Sequence, residues 1–124
     1  MIYVSISTIP QRLSNINSTI KSLLNQTKKP DKIFINIPFK YKRFPETIDE
    51  GQIPKFDNSI IEVNRCDDYG PGTKLLGSLN KLNKNSLVIL VDDDHKYENY
   101  MIEKFFYFYL YSYISLPYKS RAMV

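Results

Sequence analysis

An uninterrupted run of five aliphatic residues, Leu87 to Val91, leads directly into three consecutive aspartates, Asp92, Asp93 and Asp94. A continuous aliphatic run of this length is typical of a strand that is buried on both faces, as strands are in parallel sheets covered by helices. This feature therefore directs the interpretation of the remaining sequence toward an α/β fold.

The rest of the chain alternates between strand-like and helix-like segments. Short β-rich runs predict further strands over Ile2–Ile6, Lys32–Ile37 and Ile60–Val63. Apolar residues at helical spacing predict helices over Gln11–Gln26, Thr73–Leu82 and Asn99–Ser115. The aperiodic segment Phe39–Asn58 is interpreted as a long loop that could contain a helical turn. This order predicts a single α/β domain over residues 1–124, an open, mainly parallel sheet with right-handed crossovers and helices on both faces.

Composition sets a few broad limits on function. The apolar fraction of 43% is that of a globular protein, and the net charge of +4, with lysines spread along the chain, gives no argument for nucleic acid. Cys66 is the only cysteine, which fits a reducing compartment. The N-terminus lacks the pattern of a signal peptide, and the apolar stretch Phe105–Leu116 is shorter than the roughly 20 residues of a membrane helix. We therefore expect a soluble cytoplasmic protein.

The acidic triplet is the first candidate site, because ligands of open α/β sheets bind beyond the carboxyl ends of the strands. Three adjacent carboxylates repel one another, and a divalent cation would relieve that repulsion. Mg²⁺ and Mn²⁺ typically take one or two carboxylates and fill their other positions with water and phosphate oxygens. Strand alternation would put Asp92 and Asp94 on the same side. A solvated acidic turn is the alternative, and the sole histidine, His95, is interpreted as a surface residue.

The segment from Arg65 to Lys74 is the second candidate site. Its glycines would let the backbone approach a ligand closely, and the start of the helix that follows would attract anions. Lys74, on the first turn of that helix, could meet a diphosphate. The Gly-Lys-Ser/Thr order of a Walker loop is absent, and a plain loop-to-helix turn is the alternative. Arg65 would favour a thiolate at Cys66, but we interpret this cysteine as an ordinary thiol.

Several motifs together resemble a known family. The segment from Ile20 to Thr27, followed by Pro30 and a strand, is similar to the first helix of family-2-type glycosyltransferases, which carry "SLLNQT..P" there. Val88–Asp94 resembles their hydrophobic strand ending in a DxD motif. The segment Asp68–Leu76 resembles a subgroup with "DYGPxTKLL" between these elements. The resemblance covers about residues 2 to 100.

The resemblance implies a GT-A (Rossmann-like) fold, a nucleoside-diphosphate sugar donor and a Mn²⁺ or Mg²⁺ cofactor. It implies that Asp94 binds the metal, that Asp92 faces the ribose or the metal through water, and that the loop from Thr8 to Arg12 borders the base. The expected metal ligands are Asp92 and Asp94, and no catalytic residue is assigned. The expected substrate-binding residues are Thr8, Pro10, Arg12, Arg65, Asp68, Tyr69, Gly70, Lys74, Asp92 and Asp93.

Three functions remain open at this point. Family members continue well beyond the DxD strand, so the alternative to a glycosyltransferase is a non-catalytic nucleotide-sugar-binding module, or a truncated remnant that needs a partner chain. A metal-dependent phosphoryl-transfer or nuclease domain is disfavoured, because Glu62 lies inside the third predicted strand rather than at its end. The last predicted helix is apolar on all sides, and we expect it to be covered by a second copy of the chain or by a partner.

Overall fold

Four parallel strands form the sheet of the computed structural model, which describes the backbone of residues 1–115 and the side chains of residues 1–112. The strands are β1 (Ile2–Ser7), β2 (Lys32–Pro38), β3 (Ile61–Cys66) and β4 (Leu87–Val91), and their spatial order is β3-β2-β1-β4. The helices are α1 (Ile16–Leu24), α2 (Thr73–Leu76) and α3 (Met101–Ser115). The predicted α/β class, the parallel sheet and the flanking helices are confirmed.

One face of the sheet carries the hydrophobic core. Alternate residues of β1, β2 and β4 point to this face and pack against α1 and the start of α3. The fully buried members of this core include Val4, Ile6, Ile16, Leu23, Ile33, Ile35 and Ile102. The apolar face of α1 therefore covers the sheet, as the helical spacing of its apolar residues predicts.

The opposite face is polar where α2 crosses it. The buried amide of Asn36 donates to the Ser5 hydroxyl and to the Thr73 carbonyl, and its oxygen accepts a hydrogen bond from Asn64. A hydrogen bond of 2.9 Å joins the Ser5 and Ser78 hydroxyls. These bonds satisfy polar groups that would otherwise be costly to bury. We call Ser5, Asn36, Asn64 and Ser78 the polar stripe.

The first predicted helix, Gln11–Gln26, is wrong at both ends. Its first part, Pro10–Asn15, is a 3-10 helix, and the α-helix proper covers Ile16–Leu24 only. The 3-10 segment starts at a proline, has no side-chain cap, and ends in weak helix formers such as Ser14 and Asn15. The tighter turn also contains Arg12, whose side chain is held by an aspartate of the β4 loop.

The second predicted helix, Thr73–Leu82, is also wrong in length. Regular α2 lasts for four residues, and a 3-10 turn at Leu79–Lys81 follows. Gly77 interrupts it, where a Cβ atom would lie 2.7 Å from Cγ of Asn36, so the backbone here must approach the polar stripe closely. A helix of one turn has too few aligned peptides for a useful macrodipole, so the expected anion-attracting helix start is not present.

Two strand predictions also require correction. The third strand was expected over Ile60–Val63 but covers Ile61–Cys66, because the polar residue Asn64 is bonded within the polar stripe and extends the pairing with β2. β4 was expected to be buried on both faces. It lies at the edge of the described sheet, and Leu90 is 42% exposed.

The outer side of α3 is rich in exposed aromatic residues. Ile102 is fully buried, whereas Phe105, Phe108 and Tyr111 are 51%, 71% and 72% exposed. The sheet thus covers one stripe of this helix, as its all-round apolar sequence predicts. The side chain of Ile114 and all of Leu116, which belong to the same apolar run, lie outside the described residues. Within the part of the chain described, no helix has the length and apolarity to cross a membrane.

Candidate functional site

The site is built where β1 and β4 end side by side. β1 lies between β2 and β4. The chain passes from β1 to β2 and β3 on one side, and it then crosses back to β4 on the other side of β1. Such a reversal of strand order opens a crevice at the carboxyl ends, which is where open α/β sheets bind ligands. The Ser7–Arg12 loop and the Asp92–Lys96 loop flank this point, as the sequence predicted.

Asp93 is the buried member of the acidic triplet. Its side chain is 3% exposed and accepts a hydrogen bond of 2.6 Å from the Thr8 hydroxyl. The Nε–H of Arg12 lies 3.0 and 3.1 Å from its two carboxylate oxygens. Asp93 therefore joins the β4 loop to the β1 loop, and its oxygens are turned away from solvent. Three expected site residues, Thr8, Arg12 and Asp93, are brought into direct contact here.

Asp92 and Asp94 stand on either side of Asp93 and are exposed. The Asp92 carboxylate, 67% exposed, forms an ion pair of 3.0 Å with Nζ of Lys74. Its backbone N–H donates to the Tyr97 hydroxyl at 2.8 Å. Among the contacts described for residues 1–112, none involves the Asp94 carboxylate. Asp92 and Asp94 are thus on the same, exposed side and Asp93 is on the other, as strand alternation predicts.

The acidic loop is anchored from behind by α1. The Thr19 hydroxyl donates to the Asp93 carbonyl, and the Ser22 hydroxyl accepts from the Tyr97 N–H. The buried Gln26 amide donates to the Glu98 carbonyl and accepts from the Ile102 N–H. Ser22 and Gln26, which belong to the segment that resembles "SLLNQT", therefore hold the α3 side of the β4–α3 connection, and Thr19, which precedes the segment, holds its β4 side.

A turn at Asp68–Gly70 contributes a second set of expected residues. The Asp68 carboxylate accepts hydrogen bonds from the N–H groups of Lys42 and Gly70, and these bonds lower its pKa. Gly70 has a φ of 61°, a left-handed conformation that favours glycine. The Tyr69 N–H donates to the Thr73 hydroxyl, and Tyr69 as a whole is 46% exposed.

A small cavity of about 40 Å³ lies between this turn and the β1 loop. Thr8, Asp68 and Gly70 line it together with residues of the long loop, among them Tyr41 and Phe44. The rings of Tyr41 and Phe44 are in contact at 4.8 Å, and the Tyr41 hydroxyl donates to the Thr8 carbonyl. Burial raises the pKa of Tyr41 to about 12, so this phenol is a donor at neutral pH. Pro10 begins the 3-10 segment beside this loop.

Arg65 is placed differently from the expectation. Its guanidinium donates to the carbonyls of Ile37 and Pro38 at the end of β2, donates to the Ile48 carbonyl and pairs with Glu50. Arg65 therefore joins β2 to the long loop. It also lines an open cavity of about 700 Å³ on the β3 side, whose described lining includes none of the acidic triplet. Burial raises the pKa of the neighbouring Cys66 thiol, which outweighs the effect of Arg65 and agrees with an ordinary thiol.

The donor set at the acidic loop consists of oxygen atoms. Among the described residues, no group of three or more His, Cys, Asp or Glu side chains is arranged to hold a metal ion. Asp92 and Asp94 supply the one or two carboxylates that Mg²⁺ or Mn²⁺ takes from a protein when phosphate oxygens provide the rest. His95 is exposed, as expected for a surface histidine, and its ring is tilted against that of Tyr97 with 4.9 Å between the ring centroids.

Glu62 lies near the start of β3, away from the carboxyl ends of the strands where this site is. It is the second residue of its strand and forms ion pairs with Lys32 and Lys81. These contacts are at the amino-terminal half of β3, whereas the acidic loop follows the carboxyl end of β4. The position that disfavours a nuclease-like carboxylate cluster is therefore confirmed.

Sequence reasoning missed three residues that shape the site: Thr19, Tyr41 and Tyr97. Tyr41 belongs to an aperiodic lysine-aromatic segment, and no local pattern shows that it returns to the β1 loop. Thr19 is a polar residue on the buried face of an amphipathic helix. A polar residue at such a position indicates a hydrogen-bond partner in the interior, so the sequence contained a signal for it. Tyr97 follows the acidic triplet closely and carried no such signal.

Comparison of this chain with protein-family models and with curated proteins found no match.

Proposed function

We propose that this chain is a glycosyltransferase that binds a nucleoside-diphosphate sugar with Mn²⁺ or Mg²⁺ at the acidic loop, within a GT-A fold. The observation that carries the proposal is the different placement of the three aspartates. Asp93 is buried and bonded to Thr8 and Arg12, while Asp92 and Asp94 are exposed at the carboxyl end of β4. A solvated acidic turn would not need its central carboxylate held in this way.

The roles of the protein residues follow from their positions. Asp94, assisted by Asp92, would hold the metal, and the bound metal would stabilise the negative charge that develops on the departing diphosphate. Lys74 faces the same loop and offers an ammonium group to phosphate oxygens. The Thr8–Arg12 loop, at the carboxyl end of β1, would border the nucleoside.

The experiment is calorimetric titration of the full chain with UDP and GDP in Mn²⁺, in Mg²⁺ and in chelator. We expect binding that requires the metal and that falls about tenfold or more in Asp94→Asn, since a charge-assisted contact is lost. Asp57→Asn is the matched control, because Asp57 is also an exposed aspartate but precedes β3, at the opposite end of the sheet. Binding that is unchanged by chelator would refute the proposal.

A second measurement separates catalysis from binding alone. The full chain is incubated with UDP-sugars and GDP-sugars in Mn²⁺, and release of the nucleoside diphosphate is followed. Metal-dependent turnover that is lost in Asp94→Asn supports a glycosyltransferase. Binding without turnover, with simple sugars added as acceptors, would favour the non-catalytic nucleotide-sugar-binding module instead.

A further inference from the structure

The ammonium group of Lys74 already pairs with one carboxylate of the acidic loop. Nζ of Lys74 lies 3.0 Å from Oδ1 of Asp92. The lysine comes from α2 and the aspartate from the end of β4, so the pair connects two separate elements of the fold. In the absence of a metal, Lys74 neutralises one of the two exposed carboxylates.

The two ion pairs of the triplet are built for different purposes. Arg12 holds Asp93, whose side chain is 3% exposed and has a second donor in Thr8, so this pair is part of the folded framework. The Lys74–Asp92 pair has side-chain exposures of 30% and 67%, and one hydrogen bond joins its partners. Exposed pairs of this kind are weak and easily exchanged.

On the basis of the proposed function, we propose that Lys74 is an exchangeable cation. It holds Asp92 while the metal is absent, and it moves to the diphosphate when the metal and the nucleotide arrive together. The four-carbon stem of lysine allows such a movement, because the ammonium group can reorient without a change in the backbone. Lys74 thereby competes with free metal for Asp92, but it binds the diphosphate together with metal that is bound to nucleotide.

This double role predicts effects of opposite sign in one variant. Replacing Lys74 by methionine frees Asp92, so Mn²⁺ without nucleotide should bind about twofold to fivefold more tightly. The same change removes a charge-assisted phosphate contact, so UDP or GDP in saturating Mn²⁺ should bind about tenfold or more weakly. A lysine that only contacts phosphate would give the second effect without the first.

The test measures free Mn²⁺ by electron paramagnetic resonance during titration of the full chain, and then measures UDP and GDP affinity in saturating Mn²⁺ by calorimetry. The variants are Lys74→Met and Lys74→Arg, the second of which keeps the charge and should retain wild-type Mn²⁺ affinity. Lys32→Met is the matched control, since Lys32 has a similar exposure of 36% and pairs with Glu62 away from the acidic loop. Circular dichroism verifies that each variant is folded.

Tighter Mn²⁺ binding together with weaker nucleotide binding in Lys74→Met, and neither effect in Lys32→Met, supports the exchange. Unchanged or weaker Mn²⁺ binding in Lys74→Met overturns the exchange, yet leaves the proposed function standing if the wild type still binds nucleotide with metal. A wild-type chain that binds neither Mn²⁺ alone nor Mn²⁺ with UDP or GDP overturns both.

Discussion

Neighbouring aspartates of the triplet should differ sharply in what they contribute to stability. Asp93→Asn keeps an oxygen for the Thr8 hydroxyl, 3.1 Å from Nε of Arg12, but it removes the negative charge and places an amide N–H₂ at the oxygen position 3.0 Å from Nε. Breaking a fully buried ion pair costs about 3–5 kcal/mol. Because the Arg12 side chain is 44% exposed, we expect a smaller loss in the free energy of unfolding, about 2–3 kcal/mol.

The same substitution at the adjacent position provides the comparison. Asp92→Asn removes an exposed ion pair with Lys74 and should cost at most about 1 kcal/mol. Urea denaturation at neutral pH, without metal, gives the free energy of unfolding of both variants. In thermal unfolding, Asp93→Asn should lower the melting temperature by about 8–12 °C. If the two variants differ by less than about 0.5 kcal/mol, within the usual error of additivity, the assignment of Asp93 to the framework is refuted.

A double-mutant cycle isolates the ion pair within this effect. Arg12→Gln is measured alone and combined with Asp93→Asn, and the coupling energy should be about 1–2 kcal/mol, as for residues in direct contact. A coupling near zero would assign the cost of Asp93→Asn to the Thr8 hydrogen bond or to general desolvation, and would remove Arg12 from the explanation.

Three further outcomes are expected. Gly77→Ala should lower the free energy of unfolding by about 1–3 kcal/mol, since its Cβ would overlap the polar stripe, while Gly51→Ala, with nothing within 4 Å, should be nearly neutral in the same urea titration. Burial raises the pKa of Tyr41 to about 12 in the folded state from 10.0, so this residue contributes stability that is complete below pH 10 and is lost as the pH rises toward 12; Tyr41→Phe should show a shallower alkaline loss of stability, and identical slopes would contradict this. Light scattering should give a mass above the 14.6 kDa monomer, because α3 leaves Phe108 71% exposed; Phe108→Glu should restore the monomer, Phe108→Tyr should not, and a wild-type chain that is already monomeric at high concentration would refute association through α3.

The sequence predicts the fold well where apolar periodicity is the dominant force. The alternating strands and helices, the parallel sheet and the core face of α1 all follow from the spacing of Ile and Leu. The prediction is wrong where a polar contact decides the local geometry. Gly77 looks like a tolerated helix interior, but its close approach to Asn36 ends α2 after one turn, and that contact joins residues 41 positions apart in sequence.

The candidate site divides in the same way. The position of the acidic loop follows from a topological rule that needs only the order of the elements. The separate roles of its aspartates do not, because the carboxylates are chemically identical and Thr8 and Arg12 lie more than 80 residues away. Arg65 was expected near the nucleotide on the basis of a motif, but its guanidinium contacts carbonyls at the end of β2 and Ile48 and Glu50 of a loop without any pattern.

The polar stripe has a consequence for how the strands find their alignment during folding. The core face of β2 repeats isoleucine at every second position, at Ile33, Ile35 and Ile37, so a slip of two residues against β1 would still bury isoleucines. Asn36 opposes the slip that carries it away from Ser5, because its buried amide would then lose the Ser5 hydroxyl as a partner, while Asn64 on β3 stays paired with β2. A buried polar group without a hydrogen-bond partner costs about 1–3 kcal/mol. This cost disfavours the slipped alignment, whereas the apolar core face of the sheet would not distinguish it from the native one.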